Sequence, residues 1–156
     1  MHETDLTFKD SDGNLVVIIS SAYKKLYFHR QMNLENDEAA GVLIGERRGE
    51  HIIIRHISEP GQGDIRTRFS VNRKGRHHQL AVNQAFYASK GILNYVGEWH
   101  THPEDVPSPS LLDLTSWKKN LTDPAPSILL IIGRRNIWVG KKLGNQIKAL
   151  SLHTQE

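Results

Sequence analysis

The segment from Gly97 to Asp113 constrains this chain more than any other. It reads Gly-Glu-Trp-His100-Thr-His102-Pro, and seven residues separate His102 from Ser110-Leu-Leu-Asp113. Side chains alternate faces along a strand, so His100 and His102 point the same way, roughly 6–7 Å apart at the backbone. Both ring nitrogens can then converge on one ion, and Asp113 offers a carboxylate oxygen. Two histidines and one carboxylate leave the fourth position of a tetrahedral zinc open to water, the pattern of catalytic rather than structural zinc. The segment therefore predicts a strand, a stiff loop and a helix built around a hydrolytic metal centre.

Composition removes the rival chemistries. The 156 residues suffice for a single domain over 1–156 with a core of its own. The absence of cysteine excludes disulfides, thiolate catalysis and a cysteine-bound structural zinc. A metal must be held by the nine histidines or by the acidic residues. The N-terminus Met1-His-Glu-Thr-Asp lacks the basic start and apolar run of a secretion signal. No stretch approaches the roughly 18–20 apolar residues of a membrane span, so a cytoplasmic protein with no membrane partner is expected. A net charge of +3 is too small to argue for nucleic acid.

Apolar runs and turn signals place the other elements. Residues 14–20 read as a buried strand after the Asp12-Gly13 turn, and Ser20 or Ser21 can cap a helix running to about Met32. Ala22, Leu26 and Phe28 or His29 are its expected apolar face. Strands are predicted at 41–45, 51–57 and 67–71, with a loop over 59–64. A helix is expected from about Gly75 to Ser89, with Leu80, Gln84 and Tyr87 on one face and Gly91 as its stop. The histidine strand covers 92–102. Three prolines from Pro103 to Pro109 make a stiff loop, and Ser108-Pro109 is expected to open a helix to about Asn120, capped by Ser108. The final strands are 127–132, 137–141 and 146–152, joined by hairpin turns. Strands and helices alternate around a mixed β-sheet flanked by helices, which is an α/β layered fold.

Ser110-x-x-Asp113 has the spacing of a capping box. With the helix opened at Pro109, both residues instead share one face of its first turn, directed at the site. The helix N-terminus adds positive potential there. A hydrolase of this kind also needs a general base that is not a ligand. Glu35, Glu38, Glu46, Glu98 and Glu104 are candidates, and spacing does not choose among them. Glu98 shares the strand face of His100, while Glu104 and Asp105 read as solvated loop residues.

Glu38-Ala-Ala-Gly41-Val-Leu43-Ile-Gly45, followed by His100-Thr-His102, seven residues and Ser110-x-x-Asp113, resembles the JAMM (MPN-plus) metalloproteases. Every position of that motif is filled, and the element order covers nearly the whole chain. The resemblance implies a JAB/MPN fold, related to the cytidine deaminase fold, with Zn2+ on His100, His102 and Asp113. It implies Glu38 as the catalytic glutamate, moving a proton from water to the leaving amine, and Ser110 as stabiliser of the oxyanion. The implied reaction cuts an isopeptide or peptide bond after the C-terminal tail of a ubiquitin-like or similarly conjugated protein.

The contexts of residues 97–104 and 107–110 are most similar to small bacterial members encoded beside ubiquitin-transfer-like enzymes in antiphage CBASS operons. That likeness implies a conjugated cGAS-like nucleotidyltransferase as protein substrate and those enzymes as operon partners. Processing of a sulfur-carrier or other ubiquitin-like protein is the alternative within the same chemistry. A metal-free MPN scaffold is the alternative outside it.

Arg66, Arg68, Arg73, Lys74, Arg76, His77 and His78 form a basic cluster that lacks the interleaved aromatics of single-strand binders and reads as a solvated edge. Trp99, Trp117 and Trp138 are expected in the core. An extended substrate tail is expected beside a sheet edge, around residues 66–71 or 103–107.

Overall fold

After its first residue the run Ser127-Ile-Leu-Leu-Ile-Ile132 carries only branched apolar side chains, a composition that fits a strand covered on both faces. In the computed structural model, which describes residues 4–153, it is that strand, buried along its whole length. In chain order the strands are β1 (Leu6–Lys9), β2 (Leu15–Ile18), β3 (Ala40–Arg48), β4 (His51–Ile57), β5 (Ile65–Arg66), β6 (Val71–Asn72), β7 (Asn94–Thr101), β8 (Ser127–Ile132), β9 (Ile137–Leu143), β10 (Gln146–Ala149) and β11 (Ser151–Leu152). The helices are α1 (Ser20–Phe28), α2 (His77–Ala88) and α3 (Leu111–Asn120). Residues 1–3, part of the N-terminus read above for a secretion signal, lie outside the described residues, as do 154–156. Among the described residues no helix is long and apolar enough to cross a membrane.

Nine strands form one mixed sheet in the order β10-β9-β8-β7-β3-β4-β2-β1-β11, with β7/β8 and β2/β4 parallel. Leu150 alone separates β10 from β11, yet these two strands are the opposite edges of that order. The C-terminal segment therefore pairs with β9 through its first half and with β1 through its second, and the sheet rolls until its edges share one segment. Lys141 Nζ donates to Asp10 Oδ2 at 2.8 Å and ties β9 to the end of β1 across this seam.

The two faces of β8 bury into different layers. Ile128, Leu130 and Ile132 join Val16, Ile18, Leu43, Ile54, Val96, Trp99 and the Ala22 and Leu26 face of α1 in the main core. Leu129 and Ile131 point the other way, onto Trp117 of α3. Each such side chain contributes roughly 1.5–3 kcal/mol by leaving water. A surface ion pair gives about 0–1 kcal/mol, so β8 and its neighbours decide the fold. β7 bulges against β3, where Leu43 pairs with Gly97 but Ile44 with Tyr95. A Cβ on Gly97 would collide with the Ile128 carbonyl, so only glycine lets β7 approach β8 here.

Several expected boundaries differ. Neither Ser20 nor Ser21 caps α1: Ile19 stands at the cap without a side-chain bond, and Ser20 N donates to Asp5 Oδ1 at 2.8 Å, so the terminal acceptor comes from the chain before β1. The helix stops at Phe28, and Phe28 is exposed. Residues 67–71 do not form the expected strand; only Val71 is extended, as the start of β6. Thr67 N donates to Ser70 O at 2.8 Å and the Thr67 and Ser70 hydroxyls bond each other, which makes a tight turn between β5 and β6.

The stripe Leu80, Gln84 and Tyr87 of α2 faces solvent, while His78, Val82, Ala85 and Ser89 turn inward. Trp99 and Trp117 are core residues as expected; Trp138 is half-buried and stacks on Trp117 at 5.9 Å between centroids.

Candidate active site

β3, β7 and the start of α3 converge on one groove. Ala40 pairs with His100 in the β3/β7 ladder, which sets Glu38, just before β3, across from the histidine strand. Thr101, between the two histidines, points to the opposite face. Its hydroxyl donates to Gln31 Oε1 and accepts from Ala39 N, both at 2.9 Å, and this fixes the chain next to Glu38. β7 ends at Thr101, one residue short of the expected strand, and His102 N donates to Ile132 O at 3.1 Å to keep its ring on the site face.

α3 begins two residues later than expected. Ser110, not Ser108, is its cap: Ser110 Oγ accepts from Asp113 N at 3.0 Å and Asp113 Oδ2 accepts from Ser110 N at 2.9 Å. The capping box and the histidine-facing acid are thus one residue pair. Asp113 Oδ1 lies 3.3 Å from His100 Nε2 and Asp113 Oδ2 lies 3.1 Å from His102 Nε2. The two Nε2 atoms are 3.0 Å apart. Both nitrogens cannot donate to Asp113 while facing each other, because their protons would collide. A cation between them removes that conflict, and the spacings are close to the roughly 3.3 Å edge of a tetrahedron with 2.0–2.1 Å bonds. His102 Nδ1 sits 2.8 Å from Glu104 Oε1, which directs the proton to Nδ1 and leaves Nε2 free to ligate. The donor set therefore fits zinc.

Electrostatics follow the same arrangement. Burial would raise Asp113, but its bonds to His100 and His102 hold the carboxyl well below the usual range. Burial lowers His102, and its carboxylate partners Asp113 and Glu104 outweigh it and raise the ring above its ordinary value. Glu38 is nearly sealed from solvent, and burial pushes its carboxyl up to about 7 against the opposing pull of His100 and His102. Its carboxylate comes within 4.8 Å of the donor nitrogens of both histidines. A buried carboxyl that gains or loses a proton near neutral pH is suited to shuttling one.

The segment between β4 and α2 covers this glutamate. Glu38 N donates to Thr67 O at 2.6 Å and Arg66 Nε donates to Glu38 O at 2.8 Å, so the excursion holds Glu38 by its main chain on both sides. Gln31, fully buried, donates to Arg68 O at 2.7 Å from beneath. Phe69, Ser70 and Val71 then form one wall of a groove of about 460 Å³, with Pro103, Glu104 and Leu112 opposite and Glu38, His102, Ser110 and Asp113 at its floor. Both segments expected to flank an extended tail border this groove.

Of the five candidate bases, Glu38 alone combines burial with nearness to both histidines. Glu98 pairs with Arg73 at 2.6 Å, Glu46 with Arg55 and Arg48, and Glu35 is exposed. Glu104 was expected to be solvated; it is half exposed, but it bonds His102, and its position two residues after that histidine was the available signal. The basic cluster is no continuous patch. Arg66 serves Glu38, Arg68 bonds Asn33 O, Arg73 pairs with Glu98, and His77 and His78 turn towards Asp64.

The family model for prokaryotic homologs of the JAB domain matches residues 13–143. A protein of Escherichia coli named CD-NTase/cGAS isopeptidase is 50% identical over 150 residues, covering 96% of each chain. One of the same name from Vibrio cholerae is 51% identical over 142 residues, covering 91% of each. A solution structure of a Desulfitobacterium hafniense protein superposes with a TM-score of 0.61 at 18% identity, over 85% of this chain and 87% of that one.

Proposed function

Because this chain belongs to the family of prokaryotic JAB-domain homologs, we propose that it is a zinc-dependent isopeptidase that releases a conjugated nucleotidyltransferase of the CD-NTase/cGAS type. The observation that carries the reading is the convergence of His100, His102 and Asp113 on one point, with the buried Glu38 beside it. The names of relatives at 50% and 51% identity support the substrate class, and antiphage CBASS defence is the corresponding setting.

Zinc held by His100, His102 and Asp113 supplies Lewis acidity and activates water near neutral pH. Glu38 accepts a proton from the attacking water and returns it to the departing lysine or α-amine. Water adds to the scissile carbonyl carbon, the C–N bond breaks, and the products are a free C-terminal carboxylate and an amine. Ser110 uses its oxygen as the helix cap, which leaves its hydroxyl proton to donate to the oxyanion. The extended tail lies between the β5–β6 turn and the 103–107 loop, with its carbonyl facing the histidines.

The test is incubation of the zinc-loaded chain with a nucleotidyltransferase joined through its C-terminus to a second protein. Wild type separates the two proteins. Glu38→Gln keeps its zinc and cleaves at least ~10²-fold more slowly. An intact conjugate beside cleavage of a ubiquitin-like fusion reassigns the substrate, and zinc-independent cleavage overturns the chemistry.

A further inference from the structure

Asp64, His77 and His78 gather at the root of the excursion that holds Glu38, where the proposed active site makes no use of them. Asp64 has no exposed side-chain surface, and His78 is 3% and His77 35% exposed. The Asp64 carboxylate closes the excursion at its base: Oδ2 accepts from Gly61 N at 3.0 Å and Oδ1 from Gly75 N at 2.8 Å. His78 Nε2 sits midway between the two oxygens, at 3.1 and 3.0 Å, rather than on the lone pair of one. His77 Nε2 lies 2.6 Å from Glu59 O and 3.8 Å from Asp64 Oδ2. The His77 ring fills a slot that a Cβ on Gly61 or Gly75 would obstruct, so its aim is fixed by packing.

We propose that Asp64, His77 and His78, with the Glu59 carbonyl, form a second divalent-metal site, for zinc or a cation of similar preference. His77 Nε2 lies 2.6 Å from the Glu59 carbonyl and 3.8 Å from Asp64, His78 Nε2 lies 3.0 Å from Asp64, and one ligand atom from each of the three side chains falls within 4.8 Å of the others, spacings on either side of the roughly 3.3 Å tetrahedral edge. The set repeats the two-histidine, one-carboxylate chemistry of the groove but fills the fourth position with a main-chain carbonyl. Four protein donors and a buried carboxylate make a closed, structural centre rather than a catalytic one. The outer partners are in place: backbone N–H groups orient Asp64, and His78 Nδ1 lies 2.6 Å from Ser58 Oγ, which accepts its proton when Nε2 ligates. The ion links Glu59 and Asp64 to the start of α2, so it fastens both ends of the segment whose middle grips Glu38.

The competing arrangement needs no ion: the Ser58 hydroxyl donates to His78 Nδ1, His78 Nε2–H to Asp64, and His77 Nε2–H to Glu59 O. Zinc binding by the full chain separates the two. Protein stripped with a chelator is titrated with zinc against a chromophoric competitor, and bound metal is counted by mass spectrometry. Wild type is expected to hold two equivalents, His77→Gln one, His100→Ala one and the double variant none. His77→Gln retains a donor for the Glu59 carbonyl, His77→Ala does not, and circular dichroism establishes that each is folded. If both His77 variants bind as many equivalents as wild type, the site is overturned and the cluster is a proton-only clasp. Loss of one equivalent in the His77 variants with none lost in His100→Ala supports this site while removing the zinc reading of the groove.

Discussion

Asp113 divides its work between its two oxygens. Oδ2 accepts from the Ser110 amide and reaches His102, while Oδ1 reaches His100. Helix capping and the approach to both histidines are thereby fixed by one rotamer. Ser110 carries a similar double load, and two substitutions separate its parts. Ser110→Ala removes the cap acceptor and is expected to cost about 1 kcal/mol of stability, whereas Ser110→Gly costs only a few tenths. Both remove the hydroxyl donor, so chemical denaturation should distinguish them while their cleavage rates fall together. Equal rates to wild type in both would end the oxyanion role. Glu104 positions His102 through Nδ1. Its replacement by alanine should weaken zinc roughly 10–100-fold in a chelator competition, with the fold intact.

At the scale of elements, β3, β4, β7 and β8 were legible because their apolar runs are dictated by burial on one or both faces. α3 starts two residues later than the sequence suggests because two start signals overlap, Ser108-Pro109 and Ser110-x-x-Asp113. The structure uses the second, where the N3 carboxylate satisfies the cap and faces the histidines together. α2 was read on the wrong face because its inward stripe is His78, Val82, Ala85 and Ser89, small or polar residues held by a buried histidine rather than by apolar mass. The excursion after β4 reads as a loop over 59–64 and a strand over 67–71, and the strand fails because the order there comes from Asp64, Gln31 and Arg66 bonding distant main chain. Glu38, by contrast, needed the motif around it, because burial is not written in spacing. Gly97 is the tightest element contact, between β7 and β8. Gly97→Ala should destabilise the protein by roughly 1–3 kcal/mol, read as a lowered denaturant midpoint with an unchanged slope.

Across the whole molecule, the closing segment joins β1 to β9. It was read as one strand of 146–152, but Leu150, whose amide bonds Val139 O, divides it between two partners. Asp10 and Lys141 guard this seam. Burial raises the Asp10 carboxyl, but Lys141 and the Asn14 and Asp12 amides together pull it below 3.8. A carboxyl depressed in the folded state stabilises above its unfolded value and loses that contribution as pH falls through the lower folded one. Wild type should therefore exceed Asp10→Asn by about 1–2 kcal/mol at pH 6, and the gap should close as pH falls below the ordinary carboxylate range. A gap independent of pH would remove the ion pair from the seam. The rolled sheet has a colloidal consequence too. Its two margins are short strands of four and two residues, too short an edge to template fibre growth between copies. The short β5–β6 ribbon is exposed instead, beside the groove proposed for the substrate tail.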